Sequence, residues 1–171
     1  MARECVETRI WLWYSCGVGD VLARRIRQAS FESPAQEALL NVIVAAGAIR
    51  QRVDEACAQA GLTQGQYNVL RILRGAHPRG YPRCEIAGRM LERAPDVTRL
   101  IDRLQAQGLV ERVRDEDDRR LSVTRITRAG LDVLGRLDRP IAQIARDLES
   151  RLSSKELREL SRLCEALYAP A

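Results

Sequence analysis

The sequence predicts a mainly α-helical fold with one small β-hairpin, and three observations carry that prediction. Apolar residues recur three and four positions apart along most of the 171-residue chain, the period of a helix with one buried face. Only between Gly108 and Arg128 does the period fall to two, in short alternating runs on either side of a charged stretch. Aromatic residues make up 4% and charged residues 30%, which suits helices that bury Leu, Ile, Val and Ala and does not suit a large aromatic-lined cofactor site.

A chain of this length forms one domain with appendages more readily than two independent domains. Its net charge of +5 favours a polyanionic partner, a statement about association and not about fold. Lys155 is the only lysine, so the basic residues are almost all arginine. Arginine grips phosphates and guanine edges with paired hydrogen bonds, although genome composition accounts for the bias equally well. The five cysteines, at 5, 16, 57, 84 and 164, are odd in number and scattered, with no zinc-like spacing. The only histidine, His77, precedes Pro78, so metal sites and histidine-based triads lack their ligands. A reducing cytoplasm fits this cysteine usage.

Residues 1–32 read as an extension of unclear role. Ile10 to Tyr14 is apolar, but Asp20, Arg24, Arg25 and Arg27 follow too soon for a membrane span of about 20 residues. Glu4 and Glu7 oppose a signal-peptide start. Three readings stand open: tryptophans packed on a dimer, a disordered leader, or residues upstream of the true translation start. Ser33, Pro34 and Gln36 then supply a cap, a first-turn proline and a capping-box partner. The helix they open keeps its apolar stripe through Leu39, Val42, Ile43, Ala46, Ile49, Val53, Ala56 and Ala60 to Gly61. So wide a stripe fits packing on another subunit, with packing inside its own domain as the alternative.

Leu62-Thr63-x-x-Gln66-Tyr67 combines a hydrophobic staple with a capping box and starts a helix that turns Tyr67, Val69, Leu70, Ile72 and Leu73 inward. His77 to Gly80 forms the next loop. Pro82 to Leu91 is expected to be a short helix burying Ile86, Ala87 and Met90, with Cys84 a buried or inert thiol near its start. Arg93-Ala94 is the turn to an amphipathic helix bounded at about Pro95 and Gln107, whose apolar face is Val97, Leu100, Ile101 and Leu104. Its other face carries Pro95, Thr98, Arg99, Asp102 and Arg103, and its length suits a DNA major groove.

Leu109, Val110 and Val113 begin a strand, Asp115 to Arg120 is charge without an apolar residue, and Leu121 to Ile126 returns as a second strand. Helix, turn, helix and hairpin together make a winged helix-turn-helix. A tip ending in Arg119 and Arg120 offers guanidinium groups to phosphates or a narrow minor groove, with Asp118 placed to orient them. From Thr127 a long helix carries Leu131, Leu134, Leu137, Ile141, Ile144, Leu148 and Leu152, with a kink expected at Pro140. Ser153-x-x-Glu156 caps a last helix faced with Leu157, Leu160, Leu163, Cys164 and Leu167.

The run PDVTRLIDRLQAQGLVERVRDEDDRRLSVTRIT resembles the recognition helix and wing of the MarR family of bacterial transcriptional regulators, down to Asp118, Arg119 and Arg120 at the wing tip and the Thr-x-Ala-Gly of Thr127 to Gly130. The resemblance covers about Phe31 to Ala171. One departure is Ala94, which stands where the family commonly caps the recognition helix with Ser or Thr; losing that cap would cost about 0.5 to 2 kcal/mol locally. The resemblance implies a homodimeric regulator, a repressor by type, in which residues 33–61 and 128–171 dimerise and 62–127 form the winged helix-turn-helix. It implies palindromic double-stranded DNA as partner and a small aromatic or lipophilic effector, with no cofactor and no membrane. The expected DNA-facing set is Arg83, Pro95, Asp96, Thr98, Arg99, Arg103, Arg114, Asp118, Arg119 and Arg120. Some family members sense oxidants through an N-terminal cysteine, but Cys16 and Cys5 lie outside the matched region, so Cys16 is a weak candidate for a redox variant. A dimeric interaction module without DNA binding should lack the wing arginines, which are present. No nucleophile-elbow, phosphate-loop, dinucleotide or metalloprotease motif points to an enzyme.

Overall fold

The computed structural model describes residues 20–28, 30–92, 96–114 and 122–169, in two compact units that meet in sequence after Ile49. In the first unit a short helix, α1 (Asp20–Ile26), buries Leu22, and Phe31 is buried in the turn that follows. The described residues thus include a helix within the stretch assigned to an extension. α2 (Pro34–Gln59) opens with its proline in the first turn, where a missing N–H costs nothing. Ser33 Oγ accepts the Gln36 amide at 3.2 Å, but Gln36 Oε1 accepts from the Glu32 amide at 2.7 Å instead of closing on Ser33. Leu39, Val42, Ile43 and Ile49 remain exposed along α2.

The second unit takes the rest of α2, which buries Ala56 and Cys57, and the turn just past its end places Gly61 at a left-handed φ of 72°. Thr63 and Gln66 form the expected reciprocal capping box at the start of α3 (Gln64–Gly75). α3 buries Tyr67, Val69, Leu70 and Leu73, the centre of a core that also takes in Leu62, Ile86, Ile101, Leu104, Val110, Ile126, Leu134 and Leu137. Next come β1 (Tyr81–Pro82), α4 (Arg83–Gly88), α5 (Val97–Ala106), β2 (Val110–Arg114), β3 (Ser122–Ile126), α6 (Arg128–Glu149) and α7 (Ser154–Tyr168). The strands form an antiparallel sheet in the order β1-β3-β2, with Val110 opposite Ile126 and Arg114 opposite Ser122.

Three expectations change. β1 was not foreseen: two residues are too few to show a period, and Pro82 has no N–H to advertise a ladder. The short helix occupies Arg83–Gly88, not 82–91, and of its expected buried residues only Ile86 is fully enclosed; Ala87 is exposed and Met90 half-buried. Cys84, expected buried or inert, is exposed. α6 continues through Pro140, and Ser153 and Glu156 form the second capping box. Leu160, Leu163, Leu167 and Tyr168 of α7 are exposed. No described helix is long and apolar enough to cross a membrane.

Candidate nucleic-acid interface

α5 is fixed from beneath. Val97, Ile101 and Leu104 are buried, and Leu100 is half-buried and packs on the core. α3 passes so close that a methyl group at Gly65 would sit 3.3 Å from Leu100 Cδ1. The opposite face, with Thr98, Arg99, Asp102 and Arg103, is exposed.

The helix starts two residues later than its sequence suggests, and the cap moves with it. Asp96 is the N-cap: its Oδ1 accepts the Arg99 amide at 3.0 Å, so the cap thought lost at Ala94 is supplied by a carboxylate. The same carboxylate pairs with the side chain it caps, Asp96 Oδ2 lying 2.9 Å from Arg99 Nε. Pro95, the proposed first helical residue, lies outside the described residues. Arg99 is therefore held near the start of α5, while Arg103, one turn on, has no ion pair among the described residues.

The hairpin is fastened at its root. Thr127 Oγ1 donates to Gly108 O at 2.8 Å and accepts the Gly130 amide at 3.1 Å, and the Thr127 amide donates to Leu109 O at 3.1 Å. Gly80, with φ 79°, lies so near Thr124 O that a side chain there would overlap it, and Arg125 Nε donates to Arg79 O at 3.0 Å. β1 and β2 are thereby locked to either side of β3.

Between α5 and this sheet lies a hollow of about 390 Å³ lined by Arg83, Thr98, Ile101, Arg112, Ser122 and Thr124. Arg83, at the start of α4, and Arg114, at the far end of β2, are exposed and have no ion pair among the described residues. Arg83 and Thr98 thus meet at this hollow, and Arg99 and Arg103 are exposed on the same helix as Thr98. Asp118, Arg119 and Arg120 of the tip lie outside the described residues, as does Cys16. Sequence reasoning missed Arg112, which lines the hollow and whose Nη2 lies 2.5 Å from Asp102 Oδ1 on α5. The available signal was strand alternation: Arg112 is two residues from Val110 and Arg114 on β2. Arg89, by contrast, is occupied, paired with Glu85 at 3.1 Å and stacked 4.5 Å over the Tyr81 ring.

Cys57 is enclosed, and burial, with the nearby Asp54 charge, pushes its thiol up to about 11, so it is a poor nucleophile at neutral pH. The described residues contain no cluster of His, Cys, Asp and Glu able to hold a metal ion.

Comparison with known proteins gives this face its context. The MarR family model matches residues 62–122, which span α3 through the start of β3. The crystal structure of a MarR transcription factor from Planctomyces limnophilus is 40% identical, with 80% of this chain and 99% of that chain covered and a TM-score of 0.60. The homoprotocatechuate degradative operon repressor of Escherichia coli is 25% identical over 108 residues, 63% of this chain and 72% of the repressor. The S. aureus MepR-DNA complex shares the fold at 22% identity and a TM-score of 0.67, covering 82% of this chain and 100% of that one.

Proposed function

This chain belongs to the MarR family of transcriptional regulators, and from that premise we propose that it is a homodimeric repressor that reads a palindromic operator in double-stranded DNA. The observation that carries the reading is the exposed face of α5, where Thr98, Arg99 and Arg103 stand out from a helix whose other side is locked into the core. A helix so held enters a major groove with side chains in fixed register, and arginine donates paired hydrogen bonds to guanine O6 and N7. Arg99 reads a base edge, steadied by Asp96. Arg83, Arg103 and Arg114 serve phosphates around it, and the wing arginines Arg119 and Arg120, oriented by Asp118, enter the flanking minor groove. The operon repressor among the relatives and the DNA-bound neighbour support this reading. Residues 62–127 are the DNA-reading part and 33–61 with 128–171 the dimerising part. A small aromatic or lipophilic effector, the kind of ligand the family takes, would tune DNA affinity, and the cytoplasm is the site of action.

Electrophoretic mobility shift against the DNA upstream of its own gene tests the reading. Arg99→Ala should cost about 1 to 3 kcal/mol on the operator while largely sparing random DNA. Equal losses on both would reduce Arg99 to a phosphate contact. Arg119→Ala or Arg120→Ala should weaken binding to every sequence and flatten its salt dependence by about one ion, because each removes one neutralised phosphate. An unchanged salt slope in both would remove the wing from the interface.

A further inference from the structure

Besides the capping Asp96, the recognition face carries a second acidic side chain, in a place that electrostatics alone would disfavour. Asp102 lies on the exposed side of α5, next to Arg103 and three residues after Arg99, where a free carboxylate would repel the phosphates those arginines attract. It is not free. Its Oδ1 lies 2.5 Å from Arg112 Nη2, a side chain that lines the hollow, and the two side chains keep 52% and 38% of their exposure, so the pair is partly open to solvent. Arg112 sits mid-strand on β2, directly opposite Thr124 of β3, itself buried.

The position of this pair gives it leverage. The hairpin root is anchored by Thr127 to Gly108, at the near end of β2. Arg112 is four residues beyond Gly108 and two beyond Val110, where β2 starts, and strands advance about 3.3 Å per residue, so the pair meets the hairpin roughly 7 Å past the first residue of the strand. β1 holds β3 at Val123 and Thr124, and at the same level the pair ties β2 directly to α5, so that the spacing between hairpin and recognition helix is set from the α5 side as well.

We propose that Asp102 is a positioning residue of the DNA interface: acting through Arg112, it holds the wing at a set spacing from α5, so that helix and hairpin tip engage adjacent grooves together. The proposal rests on the DNA-reading function above. The competing account gives Asp102 a base contact as acceptor from a cytosine amino group. In that account Arg112 is a bystander.

The test is a double-mutant cycle with Asp102→Asn and Arg112→Gln, read by operator affinity and by hydroxyl-radical and methylation footprints. A positioning role predicts that each single variant binds the operator roughly tenfold more weakly and that the double variant is no worse than either, since both break one link. Footprints should lose the flanking minor-groove protection and keep the central major-groove protection, and Asp102→Glu should restore it. Tighter binding by Asp102→Asn would show mere repulsion, and additive losses in the double variant would show independent contacts; either result overturns the proposal. Loss confined to operators with a particular C·G pair would establish direct base reading in its place. Hydrogen exchange of the free protein examines the link without DNA. Faster exchange of the Val113 and Arg114 amides in Asp102→Asn, at unchanged melting temperature, supports the clamp, and unchanged exchange overturns it. A wild-type chain that prefers no DNA sequence would refute the DNA-reading function while leaving this exchange result to decide the clamp.

Discussion

Asp96 serves two purposes with one carboxylate, one oxygen capping α5 and the other holding Arg99. Asp96→Ala should therefore cost about 0.5 to 2 kcal/mol of stability in denaturant unfolding. It should also weaken operator binding, although it removes a negative charge from a DNA-facing surface. Asp96→Asn separates the two effects, because Asn caps as well as Asp but cannot pair with Arg99: stability should hold while operator affinity still falls. Full affinity in Asp96→Asn would show that the pairing does not prepare Arg99. The amphipathic spacing of Val97, Leu100, Ile101 and Leu104 made the buried face of this helix legible in the sequence. The cap was not, because a periodic pattern does not mark the residue whose backbone leaves the helix, and Asp96 does so at φ −149°. The exposure of Cys84 was not legible for a related reason: α4 has six residues, too few turns for spacing to fix which side faces inward.

At the scale of elements, the joint between hairpin and α6 decides where the wing points, and Gly130 is its tightest place. A Cβ there would overlap Leu109 O and press on Ile126 Cγ1. Helix propensity alone favours Gly130→Ala by up to about 1 kcal/mol. Packing predicts the opposite sign, a loss of about 1 to 3 kcal/mol, because the neighbour is backbone and cannot turn aside. Thermal unfolding of Gly130→Ala measures the balance, and a stabilised variant would mean that α6 can shift without cost. The Thr127-Arg-Ala-Gly130 run was visible as a family resemblance, but its physical reason, a backbone-to-backbone approach between a helix start and Leu109, involves a residue some twenty positions away. The same limit hid Arg112. Its meaning comes from Asp102, and only the folding of the hairpin beside α5 brings the two together.

At the scale of the whole molecule, apolar side chains stay in solvent on separate helices: Leu39, Val42, Ile43 and Ile49 on α2, and Leu160, Leu163, Leu167 and Tyr168 on α7. The periodicity announced both stripes, but it could not say whether a stripe meets its own chain or another. In α3 the partner is the chain's own core, whereas α7 buries no residue fully. Apolar surface of this regularity calls for a cover, and a second copy supplies an identical stripe about a two-fold axis. Sedimentation at micromolar concentration should therefore show a dimer. Leu163→Glu, which places a charge within the α7 stripe, should yield a folded monomer, since Leu163 is 49% exposed and supports little of the chain's own core. That monomer tests the link between assembly and function. A palindrome is read by two recognition helices about one helical turn, 34 to 36 Å, apart, so losing one should lower affinity for the full operator to that for a half-site and erase the preference between them. A Leu163→Glu monomer that still bound the full operator as tightly as the parent chain would sever dimerisation from DNA reading.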